Sequence, residues 1–242
     1  MSEKEKVIIV SPHFDDAILS CGGRMCSEEW RNSEISIVNV FSEIFVEKEM
    51  LSDVIIKYVA EDMAIPEYKV NLKICAKWIE ERKKEESSAT HVLGVNSFNL
   101  GYMDAIFRIS DDKFVYDTEK KLFLGQVREN ILLEQLINQF TDICKDYSRC
   151  YFPAGIGNHP DHILLHWVGK KIQCNHSRIS FYCEIPYGMD KKVVEGNKYE
   201  INVEDSYKRK VRAVSEYKTQ LNWLLRNEDN IEAVIPRYEI YY

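Results

Sequence analysis

The stretch VIIVSPHFDD, residues 7–16, decides the fold prediction because it joins a buried strand to a group of reactive side chains. Its first four residues are apolar and β-branched, which is typical of a strand buried on both faces of a parallel sheet. A Ser-Pro pair ends the strand, and His13, Asp15 and Asp16 follow at once. In an open α/β sheet, ligands bind beyond the carboxyl ends of the strands. The stretch therefore predicts both a central strand and a functional site.

The rest of the chain alternates between strand and helix patterns. Segments rich in β-branched and aromatic residues predict four more strands, at Ile35 to Phe41, Ser97 to Tyr102, Cys150 to Pro153 and Ile179 to Ile185. Helical spacing of apolar residues predicts helices at Lys77 to Leu93, Val127 to Cys144 and Pro160 to Ile172. Such alternation indicates right-handed crossovers and parallel strands. We expect an α/β fold: a single Rossmann-like domain with a mostly parallel sheet flanked by helices on both faces.

The C-terminal stretch, Asn227 to Tyr242, carries a weaker pattern. Its apolar runs, Ala233 to Ile235 and Tyr238 to Tyr242, are expected to add a strand at the edge of the sheet.

Length and charge limit the classes of protein to consider. A chain of 242 residues suits one sizeable domain. The net charge of -7 argues against a nucleic-acid partner. No apolar stretch approaches the roughly 20 residues needed to cross a bilayer, and the N-terminal residues lack the apolar region of a signal peptide. We therefore expect a cytoplasmic protein without an integral membrane anchor; the sequence does not indicate an oligomeric state.

A second group of reactive residues, Asn158-His159-Pro160-Asp161-His162, also follows a predicted strand and opens a helix. Proline suits the first turn of a helix because its missing N–H has no partner there. The two groups should therefore meet at one edge of the sheet. His162 and His166 are four residues apart and share a helix face, so one can reach a metal while the other supports the site.

Adjacent carboxylates such as Asp15 and Asp16 repel each other unless a cation or a proton offsets their charge. His13, Asp16 and His162 make a three-ligand set that leaves positions open for water and substrate, which is typical of catalytic metal sites. Zinc is the first choice for such a set, although the same ligands also accept iron(II). Asp15, beside a ligand, is then placed to take a proton from water.

The motifs Pro12-His13-x-Asp15-Asp16 and His159-Pro160-Asp161-His162 resemble those of the PIG-L (LmbE-like) zinc-dependent N-deacetylase family. The resemblance implies a single Rossmann-like deacetylase domain over residues 1–242. It also implies zinc ligands at His13, Asp16 and His162, with Asp15 as general base.

By the same resemblance, His159 acts on the oxyanion or as an acid toward the leaving amine, and Asp161 orients a histidine. Arg82, Asp104 and Arg108 are candidate substrate contacts, because their segments look like the family's substrate-binding helix and loop. The alternative is that these three charged residues form ordinary surface ion pairs. The Tyr217-Lys218-Thr219-Gln220 segment resembles the family's C-terminal helix.

One departure concerns a tyrosine that some members of the family carry before the second motif. Here that segment reads Ala154-Gly155-Ile156-Gly157-Asn158. Tyr187, from another loop, can replace the missing tyrosine or can simply be a packing residue.

These observations predict a zinc-dependent hydrolase that removes an N-acetyl group from a small molecule. The resemblance favours an amino-sugar conjugate, and the acidic chain without a predicted anchor favours a small cytosolic metabolite or a natural-product intermediate over a membrane lipid. An amidase acting on a larger acyl group is the closest alternative, because the pocket alone selects the acyl chain. A phosphoesterase with two metals and a non-catalytic nucleotide-binding module are more distant alternatives, the latter with only a weak Gly-x-Gly signal.

Overall fold

A computed structural model describes residues 4–45, 51–127, 129–174, 178–188, 198–225 and 230–242. The strands of this part of the chain are β1 (Lys6–Ser11), β2 (Glu34–Glu43), β3 (Asn96–Met103), β4 (Ile109–Ser110), β5 (Lys113–Phe114), β6 (Arg149–Pro153), β7 (Ile179–Tyr182), β8 (Tyr199–Asn202) and β9 (Tyr238–Tyr241). The α-helices are α1 (Asp16–Met25), α2 (Asp53–Asp62), α3 (Leu72–Leu93), α4 (Glu119–Leu122), α5 (Asn130–Ile143), α6 (Pro160–Gln173), α7 (Tyr207–Val214), α8 (Lys218–Leu225) and α9 (Ile231–Val234).

The main sheet has seven strands in the order β3-β2-β1-β6-β7-β9-β8. The pairs from β3 to β7 are parallel, whereas β9 is antiparallel to both β7 and β8. Strand order reverses between β1 and β6, so a crevice opens there at the carboxyl ends of the strands. The two reactive motifs follow these two strands. The mostly parallel α/β fold predicted from the sequence is confirmed.

The central strand β1 is buried on both faces. Val7 and Ile9 belong to one hydrophobic cluster, and Ile8 and Val10 belong to another, because successive strand residues point to opposite faces. Helices α1, α3 and α7 pack together on the first face, and α5 packs against α6 on the second. The sheet is therefore covered on both sides, as the continuous apolar run predicts.

Helix α3 begins five residues before its predicted start at Lys77. The side chain of Asn71 caps it, accepting hydrogen bonds from the backbone N–H groups of Lys73 at 3.0 Å and Ile74 at 3.2 Å. At its other end Gly94 takes a left-handed conformation with φ 71°. The cap explains the longer helix, since Asn before an apolar residue is a start signal.

The C-terminal prediction is partly wrong. Ala233 and Val234 belong to the short helix α9, which Asn230 caps by accepting from the N–H of Glu232. Strand β9 does form, but it lies inside the sheet between β7 and β8. A capping asparagine outweighed the β-propensity of the apolar run. Residues 227–229 of the predicted stretch, and Arg128 of the helix predicted from Val127, lie outside the described residues.

Candidate active site

The two motifs meet where β1 and β6 end. His13 lies just beyond β1, Asp16 begins α1, and His162 lies in the first turn of α6. The carboxylate oxygen Oδ2 of Asp16 lies 3.2 Å from Nδ1 of His13 and 3.4 Å from Nε2 of His162. One carboxylate oxygen and two imidazole nitrogens therefore converge at the bottom of the crevice.

The second nitrogen of each of these imidazoles faces another buried carboxylate. His13 Nε2 lies 3.0 Å from Oδ2 of Asp161, and His162 Nδ1 lies 3.3 Å from Oε1 of Glu184. Both carboxylates are 0 % exposed. A carboxylate on the far nitrogen is the usual partner of a metal-binding histidine, because it fixes the ring and its tautomer. The surroundings of His13 and His162 thus fit metal ligands.

His159 completes the group of imidazoles. Ligand nitrogens of His13, His159 and His162 all lie within 4.8 Å of one another, and so do ligand atoms of His13, Asp104 and Asp161. A His/Asp group that can hold a metal ion is therefore present among the described residues. The Nδ1 atom of His159 accepts a hydrogen bond from the backbone N–H of Asp161 at 3.3 Å, which caps helix α6. Burial lowers the pKa of His159 well below its usual value.

Opposite charges on neighbouring groups stabilise the ionised forms in this cluster. Burial alone would raise the pKa of Asp16, but His162 and His13 outweigh it, and the pKa is lowered. Burial alone would lower the pKa of His162, but the carboxylates of Asp16 and Glu184 raise it. A divalent cation bound among these groups would offset the same negative charge.

Asp15 is the carboxylate next to the metal-binding group. Its Oδ1 accepts a hydrogen bond from Nη2 of Arg82 at 3.1 Å, and both side chains are 9 % exposed. Burial raises the pKa of Asp15 to about 6, although the Arg82 guanidinium opposes the shift. Such a pKa suits a general base near neutral pH.

The three predicted substrate contacts have different surroundings. Arg82 and Asp104 line the crevice, and Asp104 also lies 3.5 Å from His13 Nε2. Arg108 does not line it; its guanidinium pairs with Asp161 and lies 3.1 Å from Glu129. Arg82 and Arg108 do form ion pairs, as the alternative predicts, but all three residues are less than 10 % exposed, so these pairs are buried and not at the surface. Substrate binding by these three residues stays a prediction. Arg108 contacts Asp161, the carboxylate that faces Nε2 of His13.

The crevice deepens into a cavity of about 800 Å³, counted to its open mouth. Beyond the metal-binding group its walls are aromatic and acidic, formed by Tyr58, Glu61, Asp62, Trp78, Phe123, Tyr187, Gln220 and Trp223.

Tyr187 lies in the cavity wall with its ring 5.7 Å from that of His162. The loop before the second motif makes room for it. Gly157 has φ 97°, and a Cβ at this position would lie 2.6 Å from the Tyr187 ring. The absence of a side chain at Gly157 thus lets a tyrosine approach from another loop. Whether Tyr187 acts on the oxyanion stays a prediction.

Sequence reasoning missed the role of Glu184. Besides its contact with His162, Glu184 accepts hydrogen bonds from the backbone N–H groups of Ala154, Gly155 and Ile156 at 2.7 to 3.2 Å. Its position just after β7, at the same edge of the sheet, was the available signal. His166 has no such role, because its Nδ1 faces the carbonyl oxygen of Pro153 at 3.2 Å and its ring packs on Phe181.

Among the described residues no helix is both long and apolar enough to cross a bilayer.

The chain is similar to the 2'-N-acetylparomamine deacetylase of Niallia circulans, with 29% identity over 93% of this chain and 84% of that protein. The fold is similar to that of a teicoplanin deacetylase solved in a zinc-inhibited form, with TM-score 0.79, 18% identity and coverage of 98% and 96% of the two chains. It is also similar to the N,N'-diacetylchitobiose deacetylase of Pyrococcus horikoshii, with TM-score 0.55, 15% identity and coverage of 98% and 82%. The sequence profile of the PIG-L family, described as GlcNAc-PI de-N-acetylase, matches residues 8–172, and the chain belongs to this family.

Proposed function

We propose that the protein is a metal-dependent N-deacetylase that removes the acetyl group from an amino-sugar conjugate or a natural-product intermediate. Zinc is the expected metal, with iron(II) as the alternative. The observation that carries the proposal is the convergence of Asp16 Oδ2 on His13 and His162, with the buried carboxylate of Asp15 beside it. Three ligands and an adjacent base are what hydrolysis of an amide needs.

His13, Asp16 and His162 would hold the metal. When bound, a zinc ion acidifies water to a pKa of about 7 and polarises a carbonyl oxygen. Asp161 and Glu184 fix the two imidazoles from behind, so the ligand nitrogens stay aimed at Asp16.

Asp15 takes the proton of the attacking water in this proposal. Arg82 holds its Oδ1 at 3.1 Å, which leaves Oδ2 of the carboxylate to accept the proton. No hydrogen bond to that second oxygen is formed by the described residues. The same carboxylate can then pass the proton toward the leaving nitrogen.

His159 stabilises the oxyanion of the tetrahedral intermediate. Its Nδ1 accepts from the N–H of Asp161 and therefore carries no proton. In the neutral imidazole the proton then sits on Nε2, which makes this atom a hydrogen-bond donor. The ring lines the cavity, so the donor can face a substrate oxygen.

The named substrates of similar proteins support an N-acetylated sugar, since paromamine and chitobiose both contain amino sugars. Amidase action on a larger acyl group is the alternative, and the aromatic wall of Trp78 and Trp223 is the feature that favours it. A phosphoesterase with two metals would use both groups of ligand atoms, which share His13.

The test combines metal content with acetate release. The wild type should contain about one zinc or iron per chain and release acetate from 2'-N-acetylparomamine, N-acetylglucosamine conjugates or both. His162→Ala should lose the metal, whereas His159→Ala should keep it and lose turnover. Longer acids released in place of acetate would identify an amidase. Wild-type protein that binds no metal even after reconstitution would overturn the proposal.

A further inference from the structure

Asp62, the last residue of α2, lies in the cavity wall outside the metal-binding group. Its Oδ2 accepts two hydrogen bonds at 2.8 Å each, from Nε1 of Trp78 on α3 and from Nε2 of Gln220 on α8. The carboxylate is thus fixed by two other helices. Within the described part of the chain no group donates to its Oδ1, and this atom is not sealed from the cavity. One oxygen of a fixed carboxylate in the cavity wall is therefore accessible and has no donor among the described residues.

The position of Asp62 at the C-terminal end of α2 also favours binding of a cation. The last turn of α2 contains Glu61 and Asp62 and no basic residue. The C-terminal end of a helix carries a partial negative charge, so acidic side chains there are unfavourable and a cation is favourable. A positively charged ligand would satisfy the helix end and the carboxylate together.

The charge of the whole cavity points the same way. Among the described residues, five carboxylates line it, those of Asp15, Asp16, Glu61, Asp62 and Asp104, against the single guanidinium of Arg82. That guanidinium is already committed to Asp15. A bound divalent metal would offset two of the negative charges and leave an excess in the outer part of the cavity.

Aromatic rings complete the surroundings of Asp62. Trp223 lies three residues after Gln220 on α8, so the two side chains share a face of that helix. The ring of Trp223 is 5.9 Å from that of Tyr187. Tyr58, which lies on α2 as Asp62 does, also lines the cavity. Aromatic faces attract both ammonium groups and the C–H faces of sugar rings. The wall is suited to a ring that bears a positive charge.

Asp62 is also close to the reacting centre. Its carboxylate acts electrostatically on Asp15, and the guanidinium of Arg82 acts on both. We infer that Asp62 binds a protonated amino group on the ring next to the one that is deacetylated, so that the preferred substrate is an N-acetylated glycoside with at least one free amine. This inference rests on the proposed deacetylase function and adds the substrate's charge to it.

The test compares two substrates that differ only in charge. The first is 2'-N-acetylparomamine, whose cyclitol ring carries two free amines, and the second is the same compound with both of these amines replaced by hydroxyl groups, which are neutral and of similar size. The wild type should prefer the charged compound at least tenfold in kcat/KM. In Asp62→Asn this preference should fall about tenfold, mainly through KM. The asparagine oxygen can still accept from Trp78 and Gln220, so the cavity wall should keep its shape.

Asp53→Asn is the matched control, since it removes one exposed carboxylate from the other end of α2. It should change the preference less than twofold. An unchanged preference in Asp62→Asn would overturn the inference, while acetate release from both compounds would leave the deacetylase function standing.

If neither compound releases acetate, the proposed function fails and calorimetry with the free cyclitol diamine decides the remaining question. Binding that is at least tenfold weaker in Asp62→Asn than in the wild type would support the ammonium site. Equal binding, or none in the wild type, would overturn it.

Discussion

Two clusters of buried charge lie at opposite ends of helix α1, and they differ in how completely their atoms are engaged. At the C-terminal end, Glu239 and Lys210 form an ion pair at 2.8 Å with both side chains 0 % exposed. The remaining partners of the Glu239 carboxylate are the backbone N–H groups of Gly23 and Arg24 and the hydroxyl of Tyr241, at 2.8 to 3.1 Å. Each oxygen accepts two hydrogen bonds, and the pair is closed to solvent. We call Glu239 and Lys210 the clasp.

At the N-terminal end of the same helix, the charges face a cavity. Asp15 has a single described partner, Arg82, and one carboxylate oxygen without a hydrogen bond. Asp16 is shared between two histidines. Removing one partner of a fully hydrogen-bonded buried charge destabilises the fold strongly, whereas a buried charge left partly open can exchange protons or bind a ligand. The comparison assigns stability to the clasp and chemistry to the other end.

The largest expected effect is on turnover at the open end. Asp15→Asn removes the base and keeps the side-chain shape, so kcat should fall about 10²- to 10⁴-fold. The measurement is acetate release at saturating substrate. Metal content should stay at the wild-type level, which separates loss of the base from loss of the site. An Asp15→Asn enzyme with normal kcat would remove the base assignment.

A substitution in the clasp should lower stability and leave turnover nearly unchanged. Lys210→Met leaves the buried carboxylate of Glu239 without its cation, and the free energy of unfolding should fall by about 3–5 kcal/mol. Chemical denaturation at neutral pH measures this change, and kcat per folded molecule should stay within about threefold of the wild type.

The control for the clasp is Lys57→Met, which breaks an ion pair with Glu119 whose side chains are 40% and 51% exposed. Its cost should stay below about 1 kcal/mol. If both lysine variants lose the same stability, the clasp has no special role.

Glu184 distinguishes a role in stability from a role at the candidate active site. Its side chain is as buried as that of Glu239, but it contacts His162. Glu184→Gln should weaken metal binding about 10- to 100-fold, since carboxylate partners of metal-binding histidines have effects of this size. Competition with a chelator measures the affinity. Glu239→Gln should lower stability and leave the metal affinity of the folded protein unchanged. A loss of metal affinity in Glu239→Gln, or none in Glu184→Gln, would contradict the different roles assigned to the two carboxylates.

The smallest effect concerns Glu86, which accepts hydrogen bonds from Asn39 at 3.0 Å and from Tyr217. Burial raises its pKa from the usual 4.5 to about 7. The unfolded state therefore loses this proton first, and ionisation costs the folded state free energy. Stability from this group should be greatest below pH 4.5 and fall by about 1 kcal/mol per pH unit up to about pH 7.

Glu86→Gln should remove that slope, as measured by denaturation at several pH values. Glu80→Gln, an exposed position on the same helix, should keep it. A slope that survives in Glu86→Gln would show that another group causes it.

Local sequence signals were sufficient to place the two reactive motifs. The buried run before His13 and the strand before His159 placed both motifs at one edge of a parallel sheet, and the topology confirms this placement. The spacing of residues in the sequence did not reveal which carboxylates contact the second ring nitrogens of the histidines. Asp161 was expected to orient a histidine, but Glu184 comes from a third strand and its contact depends on sheet order.

The charged residues outside the motifs were harder to interpret for a physical reason. Arg108 and Asp62 look like surface charges in the sequence, because burial of a charge depends on partners far away in the chain. Arg108 finds Asp161 53 residues later, and Asp62 finds Gln220 158 residues later. The same dependence on distant partners placed β9 inside the sheet rather than at its edge.

The clasp also bears on where the signature of the family ends. The profile stops at residue 172, yet Lys210 and Glu239 lie beyond it and hold the far end of the helix that starts at Asp16. A gene fragment that preserves every reactive residue but lacks the last strand would lose Glu239, which pairs with Lys210 and accepts from the C-terminal end of α1. We expect such a fragment to match the family profile in a genome survey and yet to be less stable, so the final 70 residues belong in any functional inventory of this protein.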